Sequence, residues 1–159
     1  MPTYSSSSIS KIATCTANLQ RVFGIVIQSW DNSIFYGHRG KEDQDKAVAE
    51  GKSQKPWPTS THNSVPSKAV DAGPYYPEVP AGGIDWRTDA ALLEAARAGR
   101  FDEVKEIIEN IKRWYSFGGF VRGVGAALGI KIRWGGDWSG DNRFNDQKLI
   151  DLPHFEEES

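Results

Sequence analysis

Apolar residues recur at helical spacing between Thr16 and Trp30, where Leu19, Val22, Phe23, Val26 and Ile27 mark one face. Thr14 or Thr16 supplies the cap, because a side-chain oxygen there accepts from the first free backbone N–H groups. Ahead of it, the serine-rich residues 1–13 carry no such stripe and are expected to dock only loosely. The pattern then changes. Residues 33–39 hold the strand formers Ile34, Phe35 and Tyr36, Gly37 breaks the run, and His38 and Arg39 lie just past its end. A polar helix over 41–50 stops at Gly51. Residues 52–68, with Pro56, Pro58 and Pro66, form a long loop of the sort that more often serves function than not.

A second short strand is expected at Ala69-Val70-Asp71-Ala72, and loop follows through Trp86. Residues 88–111 are charged but periodic, with Leu92, Leu93, Ala96, Val104, Ile107, Ile108 and Ile111 at helical positions and Gly99 splitting them into two helices. This segment reads as a surface insertion without chemistry of its own. Residues 114–128 predict another helix. Its Gly118, Gly119, Gly123 and Gly125 each cost about 1 kcal/mol relative to alanine, which points to close packing against another backbone. Strands at 131–134 and 151–156 flank a turn-rich loop that starts at Gly135. Helices alternating with short strands predict a single-domain α+β fold, a small, mostly antiparallel sheet packed with helices.

Composition narrows the function classes. At 159 residues the chain is long enough for one real core. A net charge of −2 and the lack of a dense basic patch argue against a nucleic-acid binder. The single cysteine, Cys15, excludes an intramolecular disulfide and a cysteine-rich metal site, and it reads as an inert, partly buried thiol. No apolar run is long enough for a membrane span, and residues 1–10 lack the basic-then-apolar order of a signal peptide. Synthesis in a cytoplasm is therefore expected, with any action outside depending on release by something else.

Candidate chemistry starts from Asp71. A carboxylate inside a buried strand is costly unless it is paired or holds a metal. His62 stands nine positions earlier in a polar loop, and only three histidines are present. His154 adds a second imidazole. Together His62, Asp71 and His154 make a donor set common in catalytic zinc sites, with a fourth position left for water. Zinc lowers the pKa of a water it binds to about 7 in favourable sites. Asp151 and Glu156 are candidates for the carboxylate that moves the proton. Arg39 is the candidate for stabilising a developing oxyanion. Each residue also has a plainer reading: His38 as a surface histidine, Asp71 as a buried hydrogen-bonding aspartate, Asp151 as a turn residue. The six tryptophans, Trp134 and Trp138 among them, serve either as core or as the wall of a groove.

Three motifs in order carry a family resemblance. They are GHR-x-x-x-x-Q over 37–44, S-x-H-x-x-x-P-S-x-A-V-D over 60–71 and D-x-x-H-F-E over 151–156. The combination resembles the VanY-like zinc peptidases, which include D-alanyl-D-alanine carboxypeptidases and L-alanyl-D-glutamate endopeptidases, and most of all the single-domain phage endolysins. The resemblance implies one Zn2+ per chain on His62, Asp71 and His154, Asp151 as catalytic carboxylate, and Arg39 as the group that meets a substrate oxygen. It also implies Ser60 as a substrate contact and Gln44 beside Arg39; Ser60, Gln44 and Trp134, the last in the loop the likeness covers, are the candidate substrate-binding residues. The segment between His62 and Asp71 is longer than in the carboxypeptidase branch and lacks that branch's glycine, which favours an endopeptidase.

The residues and the resemblance together predict a peptidoglycan peptidase catalytic domain over 1–159. It would act as a monomer on the wall stem peptide, in the periplasm or cell wall after release, without nucleic-acid or membrane partners. A carboxypeptidase of the same family, a non-catalytic wall-peptide binding module and a structural wall protein are the rival readings.

Overall fold

The N-terminal serines, expected to dock loosely, are built into the structure. The computed structural model describes residues 1–79 and 83–158, so of the expected loop through Trp86, residues 80–82 lie outside the described residues. Helix α1 (Ser6–Ile12) starts at Ser5, whose side chain accepts from the Ser8 N–H. Ser8 is buried, and its hydroxyl oxygen accepts from Ile34 N–H at 3.2 Å. Tyr4 donates to the Phe23 carbonyl and to Asn32 Oδ1 at 2.9–3.1 Å. Small polar side chains here satisfy backbone donors that would otherwise be buried unpaired, so their polarity does not mean exposure.

Helix α2 (Ala17–Ser29) is capped by Thr16 and buries all five residues of its predicted face. Strand β1 (Asn32–Tyr36) and helix α3 (Lys41–Ala49) follow, then a single 3-10 turn (Thr61–Asn63) and strand β2 (Ala69–Pro74). Helix α4 (Asp89–Arg97) is separated from α5 (Phe101–Ala127) at Gly99, which has φ +70°. The expected gap between residues 111 and 114 does not exist. Lys112 and Arg113 are good helix formers, so α5 runs through as one helix of 27 residues. Strands β3 (Ile132–Trp134) and β4 (His154–Glu157) complete the chain.

The sheet order is β1-β2-β4-β3 and every pairing is antiparallel. The fold is α+β, as expected. Val70 pairs with Phe155 and Phe155 with Trp134 across β2, β4 and β3, so the three side chains share one face. That face meets α2 and α5: Phe155 lies edge-on to Phe23 at 5.7 Å and to Phe117 at 5.8 Å, and stacks on Trp134 at 6.3 Å. Asp71 pairs with His154 in the same register, one residue out of phase, and therefore points to the other face.

Trp134 is 1% exposed and donates its indole N–H to the Leu152 carbonyl. The expected substrate contact at Trp134 is corrected: the ring is core, because its strand position alternates with Arg133, not with the loop. Of the four α5 glycines only two are close-packed. A Cβ on Gly118 would lie 2.4 Å from the Trp134 ring and one on Gly125 2.8 Å from the Ile130 carbonyl, whereas Gly119 and Gly123 face open space.

Gly118→Ala is expected to destabilise the protein by about 1–3 kcal/mol, since the Trp134 ring is locked by Phe155 and cannot yield. Gly119→Ala should be neutral or stabilising by up to about 1 kcal/mol. Urea denaturation of both variants checks the pair, and equal effects would contradict this packing.

Candidate metal centre

His62 is placed by the 3-10 turn. Ser60 caps that turn by accepting from the His62 N–H, and Asn63 accepts in return from the Ser60 N–H. Arg39 N–H donates to the His62 carbonyl at 2.9 Å, and the Asn63 amide donates to the Arg39 carbonyl at the same distance. The residues after β1 and the turn before β2 are thus tied together. Asp71 and His154 come from adjacent, directly paired strands, so a rigid backbone ladder fixes their separation.

The three side chains converge. His62 Nε2 lies 3.1 Å from Asp71 Oδ1 and 3.2 Å from His154 Nδ1, and His154 Nδ1 lies 3.2 Å from Asp71 Oδ1. The outer nitrogens set the tautomers. His62 Nδ1 is 2.7 Å from the Gly37 carbonyl oxygen, to which only an N–H can donate. His154 Nε2 is 3.1 Å from Glu156 Oε2 and donates there. Both neutral imidazoles therefore turn lone pairs toward one carboxylate oxygen. Three electron-rich atoms at this spacing in a buried site repel one another unless a cation lies among them. All lie within 4.8 Å of one another, and two imidazoles with a carboxylate suit a divalent metal with an open position. The donor set fits the group that the motifs imply.

Without a metal, a proton takes that place. Burial alone would lower the His154 pKa, but hydrogen bonds to Asp71 and Glu156 raise it to about 9. Burial alone would raise Asp71, yet the two imidazoles hold it below the usual carboxylate range.

Glu156, weighed in sequence as a base, is instead the partner of His154. It is 2% exposed, accepts from Thr61 at 2.8 Å and from Arg133 Nε at 2.7 Å. Burial works against its charge, but His154, Arg133 and Thr61 together keep its carboxyl below the usual range. Thr61 and Arg133 were not singled out from sequence. Strand period placed Glu156 beside His154, but only the sheet register shows Arg133 opposite Glu156.

Asp151 precedes β4 and its backbone is pinned: its N–H donates to the Gly135 carbonyl, and its carbonyl accepts from His154 N–H. Its carboxyl is raised above the ordinary range, by burial first and by the charge of Asp71 second, while His154, His62 and Arg39 pull it down. Arg39 Nη2 lies 3.3 Å from Asp71 Oδ2, the oxygen turned away from the histidines. Its other donors include Nη1, 3.4 Å from Gln44 Oε1.

Gln44 is fully buried and bonded to Arg39, Asn63, Ser53 and Lys55, so the expected substrate contact is corrected to a support beneath Arg39. Ser60 is 9% exposed, and its hydroxyl oxygen is engaged in capping the turn. Trp138 is half-buried and lies against His154, with ring centroids 5.3 Å apart. Of the two tryptophans offered as groove wall, Trp138 is the one at the site.

Metal and proton compete for the same atoms. Because the His154 pKa stands at about 9, metal binding at neutral pH must expel a proton. Apparent affinity should rise with pH, by at most about tenfold per unit for one proton, and level off above that value. Calorimetry in buffers of different ionisation enthalpy counts the proton, and affinity flat across the neutral range would contradict the competition. Glu156→Gln is expected to weaken metal binding by about 10–100-fold, measured by competition with a chelating dye.

The family model for phage L-alanyl-D-glutamate peptidase matches residues 2–157. No curated protein matches. Among solved structures, the crystal structure of the Serratia marcescens L-Ala D-Glu endopeptidase ChiX is similar at 22% identity and a TM-score of 0.63, over 98% of this chain and 89% of that one. At that identity the likeness shows a shared fold. The extent of the family match decides membership: the chain belongs to the phage L-alanyl-D-glutamate peptidase family.

Proposed function

We propose that this chain is an endolysin-type peptidase that cuts the L-alanyl-D-glutamate bond of the peptidoglycan stem peptide, with one zinc ion held by His62, Asp71 and His154. The observation that carries the reading is the convergence of two imidazole lone pairs and a carboxylate beside Asp151, whose own carboxyl is raised.

Zinc bound there would supply the positive charge that makes a water acidic and a peptide carbonyl electrophilic. The chain's own residues do the rest. Asp151 accepts the proton of the attacking water and hands it to the departing amine of D-glutamate. A raised carboxyl suits both transfers, because it moves toward the working pH. Arg39 holds Asp71 with one nitrogen and has further donors for the substrate oxygen that gains charge. Gln44 and Tyr36 hold Arg39, the latter with its ring 5.0 Å from the guanidinium carbon. Trp138 packs against His154.

The catalytic unit is taken as the whole of 1–159, acting as a monomer on the wall after release from the cytoplasm. No helix among the described residues is long and apolar enough to cross a membrane.

Asp151→Ala should bind zinc as the unsubstituted protein does and lose about 10²–10⁴-fold in cleavage rate. Metal analysis together with mass spectrometry of muropeptides checks both halves. Full activity in that variant would remove Asp151 as the base, and release of terminal D-alanine would replace the endopeptidase with a carboxypeptidase.

A further inference from the structure

Segment 88–111, read from sequence as an insertion without chemistry, reaches the site. A cavity of about 270 Å³ is lined by Asp151 and by residues from this segment and its neighbours, among them Trp86, Asp89, Trp114, Tyr115 and Ile150. Aromatic contacts build its walls. Trp86 and Trp114 lie 5.6 Å apart, and Phe35 backs Trp86 at 5.0 Å. Trp114 donates its indole N–H to the Asp85 carbonyl, and its ring fills the space beside Gly73, only 2.4 Å from where a Cβ would stand. Gly73 follows the ligand Asp71 by two positions on β2, so the aromatic wall adjoins the metal centre.

The lining has a distinct chemistry. It is mostly apolar, carries two carboxylates, Asp151 and Asp89, and contains no basic side chain. Asp89 is exposed and forms no ion pair among the described residues. Its charge reaches Tyr115: burial raises that hydroxyl and Asp89 raises it further. A carboxylate ligand would be repelled here, and a neutral sugar would stack on the rings but leave the negative charge unmatched. An alkyl chain ending in an ammonium matches both features, its methylenes on the indoles and its charge facing Asp89 and the ring faces.

The position of Asp151 indicates which part of the substrate arrives. In the proposed reaction Asp151 protonates the amine of D-glutamate, so the leaving fragment departs on the Asp151 side. Wall stem peptides carry a diamino acid after D-glutamate. We propose that this cavity is the specificity subsite for the side chain of that diamino acid, with Trp86, Trp114 and Ile150 against its methylenes and Asp89 facing its terminal ammonium. The assignment rests on the chain being an L-alanyl-D-glutamate peptidase.

Two synthetic substrates test it: L-alanyl-γ-D-glutamyl-L-lysine and the same peptide with an acetylated side-chain amine. The free amine should raise kcat/KM about fivefold, chiefly through KM, as expected of a partly exposed charge contact. Asp89→Asn should erase the preference by bringing kcat/KM on the free-amine peptide down to about that on the acetylated one. Equal kcat/KM on both peptides, or a preference that survives Asp89→Asn, overturns the subsite. If neither peptide is cut, the peptidase reading is what has failed. Calorimetric binding of the product dipeptide γ-D-glutamyl-L-lysine then decides the subsite independently: binding that needs both the free amine and Asp89 upholds it, and no binding or indifference to either overturns it.

Discussion

Three lone-pair donors are forced toward one point, and much of the surrounding structure exists to hold them there. Asp71 and His154 cannot separate, because they are cross-strand partners in the β2–β4 ladder. His62 cannot turn away, because its outer nitrogen is bound to the Gly37 carbonyl and its turn is capped by Ser60. Glu156, buried and bonded to Arg133 and Thr61, keeps the His154 ring oriented. Such an arrangement is unfavourable for its own sake, since like partial charges crowd in a medium that screens them poorly. Folding holds the donors ready, and a cation removes the repulsion. The neighbouring Asp151 carries a raised carboxyl for a related reason: it is buried, and it faces a carboxylate already present.

The alternation of strand residues joins this polar site to the core. Val70, Phe155 and Trp134 face α2 and α5, while Asp71, His154, Glu156 and Arg133 face the other way on the same strands. A slip of one residue in register would bury the ligands among the aromatics and turn Phe155 outward. The aromatic packing of Phe155 between Phe23, Phe117 and Trp134 therefore also fixes the metal ligands, and the stability of the core and the geometry of the site are one constraint.

The features legible in the sequence were local. The stripe on α2, the cap at Thr16, the stop at Gly99 and the positions of the first three strands follow from period and propensity, whereas the last strand begins at His154 and not at 151, because residues 151–153 form a turn. The two imidazoles with Asp71 stand out because so few histidines compete. The hidden features were either long-range or ambiguous in sign. Ser8 looks like surface until Ile34 is seen to need an acceptor. Gln44 reads as a polar contact, yet its amide is consumed in holding Arg39, Asn63, Ser53 and Lys55 in place. Trp134 and Trp138 both neighbour glycine or aspartate in one turn-rich stretch, and nothing local tells the ring that fills the core from the one that covers His154. Arg133 becomes visible only through its register opposite Glu156.

The continuity of α5 changes the standing of the segment before it. An insertion that merely decorates a surface ends where the core begins, but here one helix carries both. Phe117, Gly118 and Val121 pack on the sheet, and Trp114 and Tyr115, one turn earlier, form the wall beside Asp151. Gly118 lets the helix approach Trp134, and that approach sets how far Trp114 reaches toward Gly73. Displacing α5 to accommodate a larger residue at 118 would shift the aromatic wall along with the core. The segment is thus mechanically part of the site, and its charged outer face, with Arg87 bridging Asp85, Glu103 and Glu106, braces the loop that presents Trp86.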